Sequence, residues 1–181
     1  MYKIPTISGK QFDLCTPDAS MVDIVDIAHS LAQQPRFTGH LQRIGDRVYT
    51  LAQHCVHVSE QSPEPYWLAG LLHDAPEAYT GDLSRKLKLM LGRTYAAQEA
   101  RIEQAVAERF GLSWPMTEFI SEIDDRMAVT EHRDLGHGEL QWDDPTRLPP
   151  PPFDFTIEPW SHQLAFDRFL GRFQFLTNER G

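Results

Sequence analysis

The sequence predicts an all-α domain with a minor β-hairpin near its N-terminus. Three observations carry that prediction. Apolar residues recur at helical spacing through most of the chain, strand-like alternation is confined to the stretch before Leu14, and no repeat or break in composition divides residues 1–181. At 181 residues and 41% hydrophobic, the chain has enough apolar material for one core.

Taken in order, Ile4 to Leu14 holds a Ser8-Gly9-Lys10 turn signal between short alternating segments, which predicts the hairpin. Ile24, Ile27, Ala28 and Leu31 then mark a helix, with Asp23 and Asp26 on other faces, Ser20 or a neighbour as its cap and Pro35 as its stop. A polar loop, Arg36 to His40, leads to a second helix from about Thr50 to Glu60. After Pro63 and Pro65, the apolar run beginning at Tyr66 opens a third helix that Gly81 ends. Tyr95 to Phe110 predicts an amphipathic helix buried through Ile102, Val106 and Phe110, and Met116 to Leu135 another. The Pro-rich run at 148–153 is stiff, extended chain on the surface. Leu164, Phe166, Phe169, Leu170, Phe173 and Leu176 form the stripe of a last helix over 161–176.

The bulk chemistry excludes several classes. A formal charge of −9 opposes a nucleic-acid duplex or an anionic membrane as the main partner. It leaves a nucleotide substrate open, because a bound cation and a few local side chains can reverse the field inside a cleft. No run of about 18 apolar residues is present, and the first ten residues carry no apolar signal core, so a cytoplasmic protein is expected. Cys15 and Cys55 lie far apart without CxxC spacing, which gives no disulfide framework or structural zinc site.

The informative stretch is Leu71-Leu72-His73-Asp74-Ala75-Pro76-Glu77-Ala78-Tyr79-Thr80-Gly81-Asp82. A His-Asp pair follows an apolar helix, and two further carboxylates trail it. Burying such groups unpaired costs roughly 2–7 kcal/mol for a neutral polar group and more for a charge, and a divalent cation would compensate them. Glu77 shares a helical face with His73 and Asp74, and Asp82 falls on the loop at the mouth of the site. Further ligands are available upstream from His54 or His57. Downstream, Asp124 shares one face with Met127, Ala128 and Glu131, whereas Asp125 lies off that stripe and reads as solvated. Each residue alone has an ordinary structural reading, and their order with apolar flanks is what argues for chemistry. Two imidazoles and two carboxylates suit Zn²⁺, Mn²⁺, Co²⁺ or Fe²⁺, with positions left on an octahedral ion for water and a phosphate oxygen.

In this pattern of His, His-Asp and Asp the chain resembles the HD-domain phosphohydrolase superfamily. It is most similar to the small bacterial and phage-type members that include 5′-deoxynucleotidases and deoxyadenosine triphosphate triphosphohydrolases. The stretches SGKQFDL, DIVDIAHSLAQQPRFTGH, YTLAQHCVHVSE, LAGLLHDAPEAYTGDLSRKLK and DDRMAVTEHRDL carry the likeness, as does the Trp160–Leu176 tail. The resemblance implies an HD-type helical bundle with His54, His73, Asp74 and Asp124 as metal ligands. It implies that Glu77 orients or activates water, that Asp82 positions water or protonates the leaving oxygen, and that Lys88 and the Arg36–His40 loop contact phosphate. Mg²⁺ would accompany the substrate phosphates. Tyr79 and the stretch Met21 to Ile24 are candidates to line a base pocket.

The chain departs from the pattern at Gln53, where many members carry Glu, and at His132, where relatives often carry Arg and Arg133 would take that role. The implied activity is metal-dependent hydrolysis of 2′-deoxynucleotides, with a slight preference for a dNTP losing triphosphate and a dNMP losing phosphate as the alternative. A cyclic-nucleotide or (p)ppGpp hydrolase and a non-catalytic nucleotide-binding module are the rivals. Family analogy also implies a homo-oligomer, dimer or hexamer, in a bacterial or phage-infected cell.

Overall fold

A computed structural model describes residues 2–142 and 148–178. It begins with an antiparallel hairpin, β1 (Lys3–Pro5) and β2 (Gln11–Asp13), in which Ile4 faces Phe12 across the ladder. The turn is anchored from outside: Ser8 donates through its amide (2.7 Å) and hydroxyl (2.8 Å) to Asp26. Asp26, off the apolar stripe of its helix, is therefore buried against the hairpin. It lies on α1 (Ile24–Gln33), whose cap is Asp23, accepting from the Val25 amide at 3.0 Å.

Helix α2 (Leu51–Gln61) is capped by Thr50 and packs against α1, then against α3 (Trp67–Leu72), α6 (Glu118–Leu135) and α7 (His162–Asn178). Burial on nearly every side explains why its buried residues include Leu51, Ala52, Cys55, Val56 and Val58 rather than one stripe. The third predicted helix is broken. After α3 the chain tightens into short-range turns, with Ala75 donating to Leu72 and Glu77 to Asp74, and re-forms as α4 (Glu77–Thr80). Pro76 has no amide to continue the ladder, so the break falls where the sequence placed the ring.

The next helix, α5 (Arg85–Phe110), starts ten residues earlier than its apolar stripe predicted. Ser84 caps it, accepting from Leu87. Its first turns bury little, with Leu89 76% and Met90 84% exposed, so no periodicity announces them. Gly92 interrupts the helix at φ 71°, ψ −158°, a conformation essentially reserved for glycine. Helix α6 follows a cis Trp114–Pro115 bond. The Pro-rich stretch runs along α6 without regular structure: Arg126 donates to the Pro151 carbonyl, and the Phe153 amide donates to Thr130. Helix α7 closes the core over α1 and α2 through Ala165, Phe169 and Leu176. Among the described residues no helix is long and apolar enough to cross a membrane.

Candidate metal centre and cleft

Two helices and one turn bring four donor atoms together. His54 comes from the buried side of α2, His73 and Asp74 from the turn after α3, and Asp124 from α6. His54 Nε2 lies 3.1 Å from His73 Nε2, 3.5 Å from Asp74 Oδ2 and 3.1 Å from Asp124 Oδ1. His73 Nε2 lies 3.2 Å and 3.9 Å from the same two oxygens. An ion held by bonds of about 2.0–2.2 Å would set its ligands roughly 3–3.5 Å apart, so the spacing fits a metal.

Hydrogen bonding on the far side of each ring supports that fit. His54 Nδ1 donates to Glu131 Oε1 at 2.5 Å and His73 Nδ1 to the Gly70 carbonyl at 2.8 Å. Both Nε2 lone pairs then face one another and the carboxylates. Asp74 Oδ2 and Asp124 Oδ1 are buried without a hydrogen-bond partner. His54, His73 and Asp124 could hold a metal ion, and Asp74 Oδ2 lies against both histidines. Cys55 forms a second possible group with His73 and Asp74, and burial pushes its thiol up to about 11. Burial would also raise Asp74 and Asp124; the two histidines outweigh it and hold both acids low. Burial would lower His73, and Asp74 with Asp124 outweighs that too, so the cage as a whole draws positive charge.

Glu131 is the main contributor that sequence reasoning left without a role. It is fully buried and takes both His54 and the Arg36 guanidinium (3.4 Å). It supplies the carboxylate behind the ligand histidine that Gln53 cannot. Its signal was its position seven residues, two turns, after Asp124 on the same stripe. Gln53 instead clamps the segment before α7, donating to the Glu158 carbonyl and accepting from the Trp160 amide. His57 faces away from the cage, among the rings of Tyr49, Phe155 and Trp160.

A cleft of about 500 Å³ opens beside the cage. Arg36, Glu77, Asp82, Lys88 and His132 line it together with Asp74 and Asp124. Burial, with the charges of Asp74 and Asp82, pushes Glu77 up to about 8 against the pull of Lys88. Lys88 donates to Glu77 Oε1 at 2.9 Å and pairs Glu99 at 2.7 Å, while Glu77 Oε2 has no partner. Asp82 is raised by burial, and its amide donates to Gln34 Oε1 (2.9 Å) while Gln34 Nε2 donates to the Glu77 carbonyl (3.0 Å). That one amide side chain thus sets the spacing of both carboxylate-bearing residues. Arg36 sits on a loop in which Phe37 and Thr38 both adopt φ 52°, a left-handed backbone costing roughly 1–2 kcal/mol each.

Several expected residues lie elsewhere. His40 is exposed, its amide returning to the Phe37 carbonyl, and it is not part of the cleft wall. Tyr79 is in the core, stacked on Phe12 at 3.7 Å, with its hydroxyl on the Asp23 amide, so neither it nor Met21 to Ile24 lines this cleft. Asp125, expected in solvent, is buried and pairs at 3.1 Å with Arg85, the first residue of α5. Arg133 is spent on Asp134 and the Phe153 carbonyl, leaving His132 at the cleft.

Comparison with known proteins places the chain among relatives. YfdR of Escherichia coli (strain K12) is 33% identical over 177 residues, covering 98% of this chain and 97% of YfdR. The chain belongs to the YfdR family. A Rhodobacter capsulatus protein is 40% identical over 113 residues, 59% of this chain and 57% of its own length. Both relatives are described as uncharacterized, and no family model matches the chain. What the YfdR family does therefore has to be argued from the site.

Proposed function

We propose that this protein is a metal-dependent phosphohydrolase of the HD type acting on 2′-deoxynucleotides. The observation that carries the reading is the cage itself: four inward donor atoms mostly 3–4 Å apart, opening on a cleft whose lining includes Glu77, Asp82, Arg36 and Lys88. His54, His73, Asp74 and Asp124 would hold the ion, with zinc, cobalt or manganese suited to the donor set and magnesium accompanying the substrate phosphates. When bound, the metal supplies Lewis acidity and a water of lowered pKa.

The chain's own groups do the rest. Glu77, poised near neutrality, holds or accepts a proton from a water in the cleft, and Lys88 fixes its orientation. Asp82, whose carboxyl burial pushes above its ordinary value, is placed to give a proton to the leaving oxygen. Arg36 and Lys88 are the cations that would meet phosphate oxygens. A dNTP losing triphosphate is the slightly favoured substrate by the family resemblance, and a dNMP losing phosphate is the alternative.

The test is product analysis with metal-loaded protein and each dNMP, dNTP and NTP, resolved by ion-pair chromatography. Deoxynucleoside plus triphosphate from a dNTP supports the reading, and orthophosphate from monophosphates alone selects the alternative. Turnover of only cyclic dinucleotides or ppGpp, or none with any metal, sinks it.

A further inference from the structure

Arg36 stands in an unusual relation to the cage. Its guanidinium reaches Asp74 Oδ2 (Nη1, 3.6 Å) and Asp124 Oδ1 (Nη2, 3.7 Å), the same two oxygen atoms that face His54 and His73. Its third partner, Glu131 Oε2 at 3.4 Å, lies outside the cage. The side chain is largely buried, at 13% exposure, yet it borders the cleft, with Phe37 beneath it at 5.6 Å. All three carboxylate distances exceed those of a tight charge-assisted bond, so none of them locks the guanidinium.

We infer that Arg36 couples metal and anion binding with opposite signs: alone it opposes a divalent cation in the cage, and with a phosphate in the cleft it favours one. The inference rests on the metal-site part of the proposed function. A guanidinium and a divalent ion drawing on the same two oxygens are like charges a few ångströms apart in a partly desolvated site, and they repel. A phosphate oxygen between them offers both an opposite charge. Arg36 then turns from the shared carboxylates to the anion, keeping Glu131 as its partner at Nη2. Metal affinity therefore depends on whether the anion is present, and by reciprocity anion affinity depends on the metal.

The experiment titrates Co²⁺ into metal-stripped full-length protein, followed by its visible absorption, with and without inorganic phosphate. Wild type should bind Co²⁺ more tightly when phosphate is present. Arg36→Met, which keeps the aliphatic stem, should bind Co²⁺ about 5- to 50-fold more tightly than wild type without phosphate. It should also lose the phosphate effect. Arg36→Lys retains the charge and should keep the wild-type sign. If the methionine variant does not fold, Arg36→Gln takes its place. A folded neutral variant that binds Co²⁺ no more tightly than wild type, or that still responds to phosphate, overturns the coupling, as does a wild type that takes up no Co²⁺. Coupling in a protein that hydrolyses no nucleotide would sink the phosphohydrolase reading and leave this one standing.

Discussion

Glu77 and Asp74 lie three residues apart, and the site asks opposite things of them. Asp74 gives an unpartnered oxygen to the cage, so Asp74→Ala should lose metal and turnover together, read by metal analysis after dialysis. Glu77→Gln should retain the metal and lose about 10²-fold or more in kcat; full activity would remove Glu77 from its role. The same residue has a signature in stability. Unfolded, Glu77 titrates near 4.5; folded, near 8. Because the folded chain holds this proton more tightly, its contribution to stability is complete below about pH 4.5 and is lost as pH rises through 8. Metal-free Glu77→Gln should therefore match wild type near pH 4.5 and melt at least about 2–4 °C higher near pH 9. Parallel melting curves would contradict the shift. Residues on a motif with fixed spacing, such as His73, Asp74 and Glu77, were legible because their neighbours in sequence are their neighbours in space. Glu131, Gln34 and the Asp125–Arg85 pair were not, since each acts on a partner 40 or more residues away.

Helices α2 and α3 must approach closely for His54 and His73 to meet. Gly70 permits it: a Cβ there would lie 2.9 Å from Ser62 Oγ and 3.1 Å from the Ser59 Cα. Its carbonyl also orients His73. Gly70→Ala should wedge the pair apart, lowering the melting temperature by several degrees and weakening metal about 10-fold in chelator competition. Unchanged metal affinity would mean that the two histidines tolerate a looser crossing. At this scale the sequence showed where helices exist better than where they stop and start. That the chain around Pro76 splits one predicted helix into α3 and α4 shows in the turn hydrogen bonds on either side of it. The front of α5 was invisible because Leu89, Met90 and Leu91 face solvent, and periodicity reads only faces that are buried.

Across the whole molecule the all-α class was legible, since amphipathic helices without long alternating segments admit few other packings. Which helix covers which was not: α7 packs on α1 and α2, more than a hundred residues upstream. Phe169, fully buried at that junction, should cost about 3–5 kcal/mol in urea denaturation when replaced by alanine. A loss below about 1 kcal/mol would show that α7 is an accessory layer. The position of α7 also bears on synthesis. Every donor in the cage lies between His54 and Asp124, and so leaves the ribosome before α7 does. Until α7 docks, α1 and α2 expose the apolar surface that it covers, and the rings of the nascent chain have no rigid frame to hold them. On the proposed reading, the ion would therefore be taken up only once α7 has docked, and the interval in which the chain is sticky would fall before that uptake.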